Sequence, residues 1–355
     1  MSRPGRTAAR LLLLVAAVAT GSGARADDPP FKFLFSYGQD DIVTCGAWSA
    51  DGRSLATGTE VGTVTVTGLE SRESRAIPAV LAVGNGVQSL RFSPDGRMLV
   101  AGGWGDRDEG GDVAVLRTGD WAVAARIDAH RGRTVRFVDV TADGEAVLSA
   151  DHLHVVVSTI AGKVLRRLSD GTSGGPAAVA DDGARWAYLA AAGNVGTVLP
   201  VDLESGKPGA PIPAAPGKPL VWLKYMKGKN ELAILTGEAV LLRIDPASAA
   251  IRKTIDLGEA FRAASVECGD LGSSKWEFDL LDDPPLLVAN DRVHTCFVNP
   301  ETLQVHRFEH QSQVGIALHP TGRCFAVLGG IENPALTGGA KQEYWTVSLF
   351  ALTRF

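Results

Sequence analysis

Trp104 opens a glycine-rich stretch that carries Asp106, Arg107, Asp108 and Glu109 and closes on Gly111 and Asp112. Carboxylates at alternate positions before a glycine resemble the first half of a calcium loop. The fifth position is Gly110 and the twelfth is Arg117, where such a loop needs oxygen ligands, so a solvated acidic hairpin is the reading the residues favour. His152 and His154 stand two apart. Alternate residues of a strand point to one side, which gives the pair the geometry of half a metal site, with no third ligand identifiable from spacing. Gly171-Thr172-Ser173-Gly174-Gly175 has the Gly-x-Ser-x-Gly form of a nucleophile elbow, but it stands in a turn and lacks the following helix that the elbow requires. His294, His306 and His319 fall in or beside strands and read as structural. The four cysteines, Cys45, Cys268, Cys296 and Cys324, match no zinc spacing. Cys268–Cys296 is the one bridge to entertain, and free buried thiols are the default for the rest. No phosphate loop or dinucleotide fingerprint is present. No residue constellation names a reaction, so no catalytic residue, metal or cofactor is assigned.

The elements that position these residues are written in a repeated phrase. Trp48-Ser49-Ala50-Asp51-Gly52-Arg53-Ser54-Leu55-Ala56-Thr57-Gly58 returns as Phe92-Ser93-Pro94-Asp95-Gly96-Arg97-Met98-Leu99-Val100-Ala101-Gly102. Each copy is a short apolar strand, a tight Asp-Gly turn and a second strand. The turn marker recurs at Asp143-Gly144 and Asp182-Gly183, then in weaker form at Gly228-Lys229, Asp282-Asp283-Pro284-Pro285 and Thr321-Gly322. Repeats of roughly 40–50 residues with four strands each must stack to bury their faces. Seven markers predict an all-β, seven-bladed propeller over residues 27–355, with antiparallel strands a to d in each blade. Strands a are expected at Val87–Phe92, Val135–Val140 and Leu220–Tyr225, and strands c at Thr63–Thr67, Asp112–Arg117, His154–Thr159 and Val240–Ile244. No helical period is evident in this region. The last repeat supplies Val314–Leu318, Cys324–Leu328 and Thr346–Ala351 and is then one strand short. Phe31–Phe35 is expected to fill that place and close the ring.

The phrase Phe92–Arg97, with His130 shortly before Val135 and His310 shortly before Val314, resembles the WD-repeat β-propeller family over residues 31–355. No repeat ends strand c with a Trp-Asp pair: Thr67-Gly68-Leu69, Leu116-Arg117-Thr118 and Val201-Asp202-Leu203 stand there instead. The buried His–Asp–Ser–Trp network of well-kept repeats is therefore expected to be missing. Quinoprotein-like and lactonase-like propellers remain open.

Residues 1–26 read as a signal peptide: Arg3, Arg6 and Arg10, then apolar Leu11–Ala19, then a small-x-small site at Ala24-Arg25-Ala26. Cleavage after Ala26 predicts a secreted or periplasmic product. It would remove four arginines and no acid, taking the formal charge from −5 to −9. That balance argues against a nucleic-acid partner. The small basic runs Arg131/Arg133/Arg136 and Lys218/Lys224/Lys227/Lys229 read as solvated turns and strand edges. No later segment approaches the ~20 apolar residues of a membrane span.

In a four-stranded blade the b–c and d–a connections share one face, and the three long insertions, Gly103–Gly111, Glu259–Lys275 and Gly329–Tyr344, fall there. Long loops on a rigid scaffold are where binding concentrates. The candidate surface is Trp104, Asp106, Arg107, Asp108, Glu109, His152, His154, Glu332, Asn333, Lys341, Glu343 and Trp345. The expected function is a non-catalytic scaffold holding an unidentified protein or peptide, with a monomer as the default state. The alternative is a propeller enzyme, lactonase-like or quinoprotein-like, with a ligand or metal in the central channel, and metal analysis of the purified protein discriminates the two.

Overall fold

Asp-Gly turns dictate the local structure, and three of them are built alike. In the computed structural model Ser49 Oγ donates to Asp51 Oδ1 (2.6 Å), which also accepts the Arg53 amide (3.0 Å). Ser93 and Asp95 repeat this with Arg97, and Thr141 and Asp143 with Glu145, at the same distances. Gly52, Gly96 and Gly144 take φ of +71°, +72° and +72°, where only glycine avoids a Cβ penalty. The structure describes residues 30–353 except 79, 82–85, 105–111, 142, 152–153, 169–176, 181–185, 191–195, 227–228, 265–270, 272–275, 292, 311–314 and 331–344.

Strand β1 is Phe31–Gly38. The first sheet is β2 (Val43–Trp48), β3 (Ser54–Thr59), β4 (Val64–Gly68) and β5 (Ser74–Ile77). The second is β6 (Val87–Phe92), β7 (Met98–Gly103), β8 (Val113–Arg117) and β9 (Val123–Ile127). The third is β10 (Phe137–Val140), β11 (Ala146–Ala150), β12 (Val155–Thr159) and β13 (Val164–Leu168). The fourth is β14 (Ala177–Val179), β15 (Trp186–Ala190), β16 (Thr197–Asp202) and β17 (Ile212–Pro213). The fifth is β18 (Leu220–Met226), β19 (Glu231–Thr236), β20 (Val240–Ile244) and β21 (Ile251–Asp256). The sixth is β22 (Glu277–Asp282), β23 (Pro285–Asn290), β24 (His294–Val298) and β25 (Val305–Glu309). The last is β26 (Gly315–Leu318), β27 (Cys324–Leu328), β28 (Thr346–Leu352) and, hydrogen-bonded beside β28, β1. That pairing is antiparallel, from Phe31 opposite Leu352 to Gly38 opposite Thr346.

The fold is an all-β propeller. Its core is divided among the spaces between sheets. Val64 and Val66 of the first sheet meet Val87, Leu90 and Phe92 of the second. Val113 and Val115 meet Val138 and Val147 of the third. Leu148 and Val157 meet Val179 and Val201 of the fourth. Val198 and Ile212 meet Leu223 and Ile234 of the fifth. Leu235 and Leu241 meet Leu280 and Leu287 of the sixth. Phe297 and Phe308 meet Phe325 and Phe350 of the last, with Phe31 set among them. Leu328 and Leu349 of the last sheet meet Val43 and Leu55 of the first. Covered on both faces, the second strands lose polar alternation: β11, β19 and β27 are buried throughout.

Some boundaries differ from the sequence expectation. The third sheet begins at Phe137 because the Val135 amide is spent on Gly103 O (2.9 Å) of the neighbouring sheet. One short helix, α1 (Gly258–Ala263), interrupts the all-β chain before the sixth sheet and buries Phe261. Cys45, Cys296 and Cys324 are free thiols, so the entertained bridge is not formed at Cys296, and Cys268 lies outside the described residues.

Candidate functional site

Successive strands of each sheet are antiparallel, so second-to-third-strand connections and fourth-to-next-first connections emerge at one end. Two aromatics of the candidate surface stand there in solvent. Trp104 leaves β7 and Trp345 enters β28, each 43% exposed. Both are held through backbone. The Trp104 amide donates to Gly86 O (3.0 Å), and Trp345 O accepts the Gln39 amide (2.7 Å). Between them the Glu60 amide donates to Ile42 O (3.0 Å), tying the turn after β3 to the connection that carries Asp40 and Asp41. Sequence reasoning missed two further exposed residues at this end. Val61 lies between β3 and β4, and Val293 between β23 and β24; they are 49% and 42% exposed. Short turns gave no signal for them.

His154, at the entry to β12, is half-buried, and its Nδ1 accepts from Arg133 Nη1 (2.9 Å), which leaves that nitrogen engaged. Asp112 turns away from solvent. Its carboxylate accepts the Ala129 amide (2.7 Å) and the His130 amide (2.6 Å), which fixes the next connection and removes it from any calcium loop. Burial pushes the Asp112 carboxyl up to about 6, against the pull of those amides. Asp106, Arg107, Asp108, Glu109, His152, Glu332, Asn333, Lys341 and Glu343 lie outside the described residues, as does Gly171–Gly175. Among the described residues no group of three or more His, Cys, Asp or Glu side chains is gathered for a metal.

The buried network expected to be missing is present in the third sheet without its tryptophan. His130 Nδ1 donates to Asp151 Oδ2 (3.0 Å), and its Nε2 accepts from Ser149 Oγ (2.9 Å). All three are buried. Burial lowers the His130 pKa, with the Asp151 carboxylate opposing, and the neutral ring can then donate at one nitrogen while accepting at the other. The expectation failed because it was tied to the Trp-Asp pair, whereas these bonds are made by a connection, a second strand and a turn.

A second charged cluster gathers where the first strands meet. Arg91 of β6 bonds Asp139 of β10 (3.1 Å), and Lys224 of β18 bonds Asp279 (2.6 Å) and the Leu280 carbonyl (3.0 Å) of β22. Asp139 and then Asp279 raise the Arg91 pKa against an opposing desolvation. Charges in the middle of first strands were the available signal.

The family described as WD domain, G-beta repeat matches residues 80–108, which hold β6, β7 and Trp104. With the propeller arrangement around that repeat, the resemblance is settled. The chain is a WD-repeat-like β-propeller. No curated protein matches it. The His130–Asp151–Ser149 bonds are thus made in a WD-repeat-like blade that has no Trp-Asp ending. No helix among the described residues is long and apolar enough to cross a membrane.

Proposed function

We propose that the chain is an exported docking scaffold for a protein or peptide, with residues 1–26 cleaved as a signal segment. Its seven sheets form a closed seven-bladed ring. The β1–β28 pairing and the shared core between the last and first sheets support that closure. WD-repeat propellers typically bind proteins and are generally non-catalytic. The observation that carries the reading is the distribution of exposed apolar side chains. Of the six large exposed ones among the described residues, Val293, Trp345, Val61 and Trp104 occupy the b–c connections of the sixth, last, first and second sheets in turn. They make an arc over consecutive blades on one face, and a partner burying exposed tryptophans gains its affinity from such anchors.

The test is capture from a host extract by the mature chain, compared with a Trp104→Ala/Trp345→Ala variant. Loss of the captured species in the variant is expected. Equal capture by both overturns the assignment of this face.

A further inference from the structure

The docking face carries both halves of its own complement. Trp104 sits at the boundary between them. On one flank its amide bonds Gly86 O, and Gly86 lies against the Glu60 backbone: a Cβ there would come within 2.8 Å of the Glu60 carbonyl oxygen. Glu60 is exposed, and through Ile42 it adjoins exposed Asp40 and half-buried Asp41. On the other flank Gly103 O accepts the Val135 amide (2.9 Å), and Val135 stands between Arg133 and Arg136. Arg131, Arg133 and Arg136 are exposed. Among the described residues, the carboxylates on this flank are already hydrogen-bonded: Asp128 accepts the Arg131 amide, and Asp151 holds His130.

We propose that the partner at this face is a second copy of the chain, paired about a two-fold axis through Trp104. The inference rests on the docking-face reading and names its occupant. Rotation about Trp104 sets the Glu60–Asp40 flank of each copy over the Arg131–Arg136 flank of the other and brings the two indoles together. An isologous contact needs this kind of self-complementary patch. Opposite charges on either side of an aromatic centre also fix the docking orientation.

Analytical ultracentrifugation of the full mature chain tests it, up to about 100 μM, at roughly 0.02 M and 0.5 M salt, where screening differs most. A monomer–dimer equilibrium that weakens with salt is expected, and Trp104→Ala weakens it about tenfold or more. Arg131→Glu/Arg136→Glu and Asp40→Lys/Glu60→Lys each sediment as monomers, and mixing the two restores a dimer. Urea midpoints and circular dichroism confirm that both variants are folded. A monomeric wild type, a dimer indifferent to Trp104→Ala, or folded variants that fail to reassociate overturns the inference. A monomeric wild type whose extract partner is still lost on Trp104→Ala overturns the second copy alone. Extract capture indifferent to both tryptophans removes the docking face itself.

Discussion

Gly52 and Gly96 occupy the same place in successive repeats and share a φ within one degree, yet their surroundings differ. A Cβ on Gly96 would meet nothing within 4 Å, whereas one on Gly52 would sit 2.2 Å from His319 Nε2. That ring is pinned: Nδ1 accepts the Thr321 amide (3.1 Å), Nε2 donates to Gly52 O (3.0 Å), and Trp48 packs against it at 4.8 Å. Gly96→Ala therefore measures the left-handed backbone cost alone, roughly 1–2 kcal/mol. Gly52→Ala adds the displaced histidine. The lost hydrogen bond is worth about 0.5–1.5 kcal/mol, and the aromatic contact about 0.5–1.5 kcal/mol. The excess of Gly52→Ala over Gly96→Ala should be about 1–3 kcal/mol in urea unfolding. In a His319→Ala background that excess should vanish, because nothing then opposes the methyl group. Equal losses for the two alanines, within about 0.5 kcal/mol, the scatter expected of independent sites, would refute the reasoning. So would an excess that survives His319→Ala. The bond runs from the last sheet to the first, so the comparison also probes how tightly that junction is held.

Phe31 packs tilted and edge-on among Phe297, Phe308 and Phe325 at 5.0–5.9 Å between centroids; Phe31→Ala should cost roughly 2 kcal/mol by urea, below the full-burial figure, and Lys32→Ala almost nothing. Removing residues 30–38 bares the β28 edge and should give light-scattering aggregates. His310 is buried and its pKa is pushed down to about 4, chiefly by desolvation. Its folded value lies below its unfolded one, so this stability is complete above pH ~6.5 and lost as pH falls toward 4, up to about 3 kcal/mol. His310→Asn should flatten the urea midpoint across that window, and an unchanged slope would discredit the assignment. His130→Ala strips buried Ser149 of its ring partner and buried Asp151 of one of its bonds, and should cost roughly 2–4 kcal/mol in the same assay; a loss under about 0.5 kcal/mol would show that the network is not formed.

Much of the fold was readable because its signals are local. An Asp-Gly turn closes on its own Ser or Thr and the next amide, so its neighbour β6 falls where the sequence places it, and β27 does so behind the weaker Thr321-Gly322 marker. Errors came where a backbone group is spent outside its ladder. The Val135 amide donates to Gly103 O, and Thr63 O accepts the Thr59 amide inside a turn, so each strand starts later than its apolar run. Helix α1 is too short for periodicity to register, and it exists to seat Phe261. The proposed docking face was half legible. Trp104 and Trp345 stand out by type beside long insertions, but Val61 and Val293 sit in ordinary turns. Arg91–Asp139 and Lys224–Asp279 are 48 and 55 residues apart, a pairing that only the stacking of repeats reveals.

Both ends of the second sheet's long connection are stapled. Upstream, the Gly103 amide donates to Asp112 O (3.1 Å) and the Trp104 amide to Gly86 O; downstream, the Asp112 carboxylate grips the Ala129 and His130 amides. Both anchor points are thereby fixed by residues outside the segment that joins them. The sequence of that segment can be exchanged like a cassette, by drift or by an engineer grafting a foreign peptide, while the anchors keep β7 and β8 in register. In the proposed scaffold, partner choice can diversify without renegotiating the architecture that displays it.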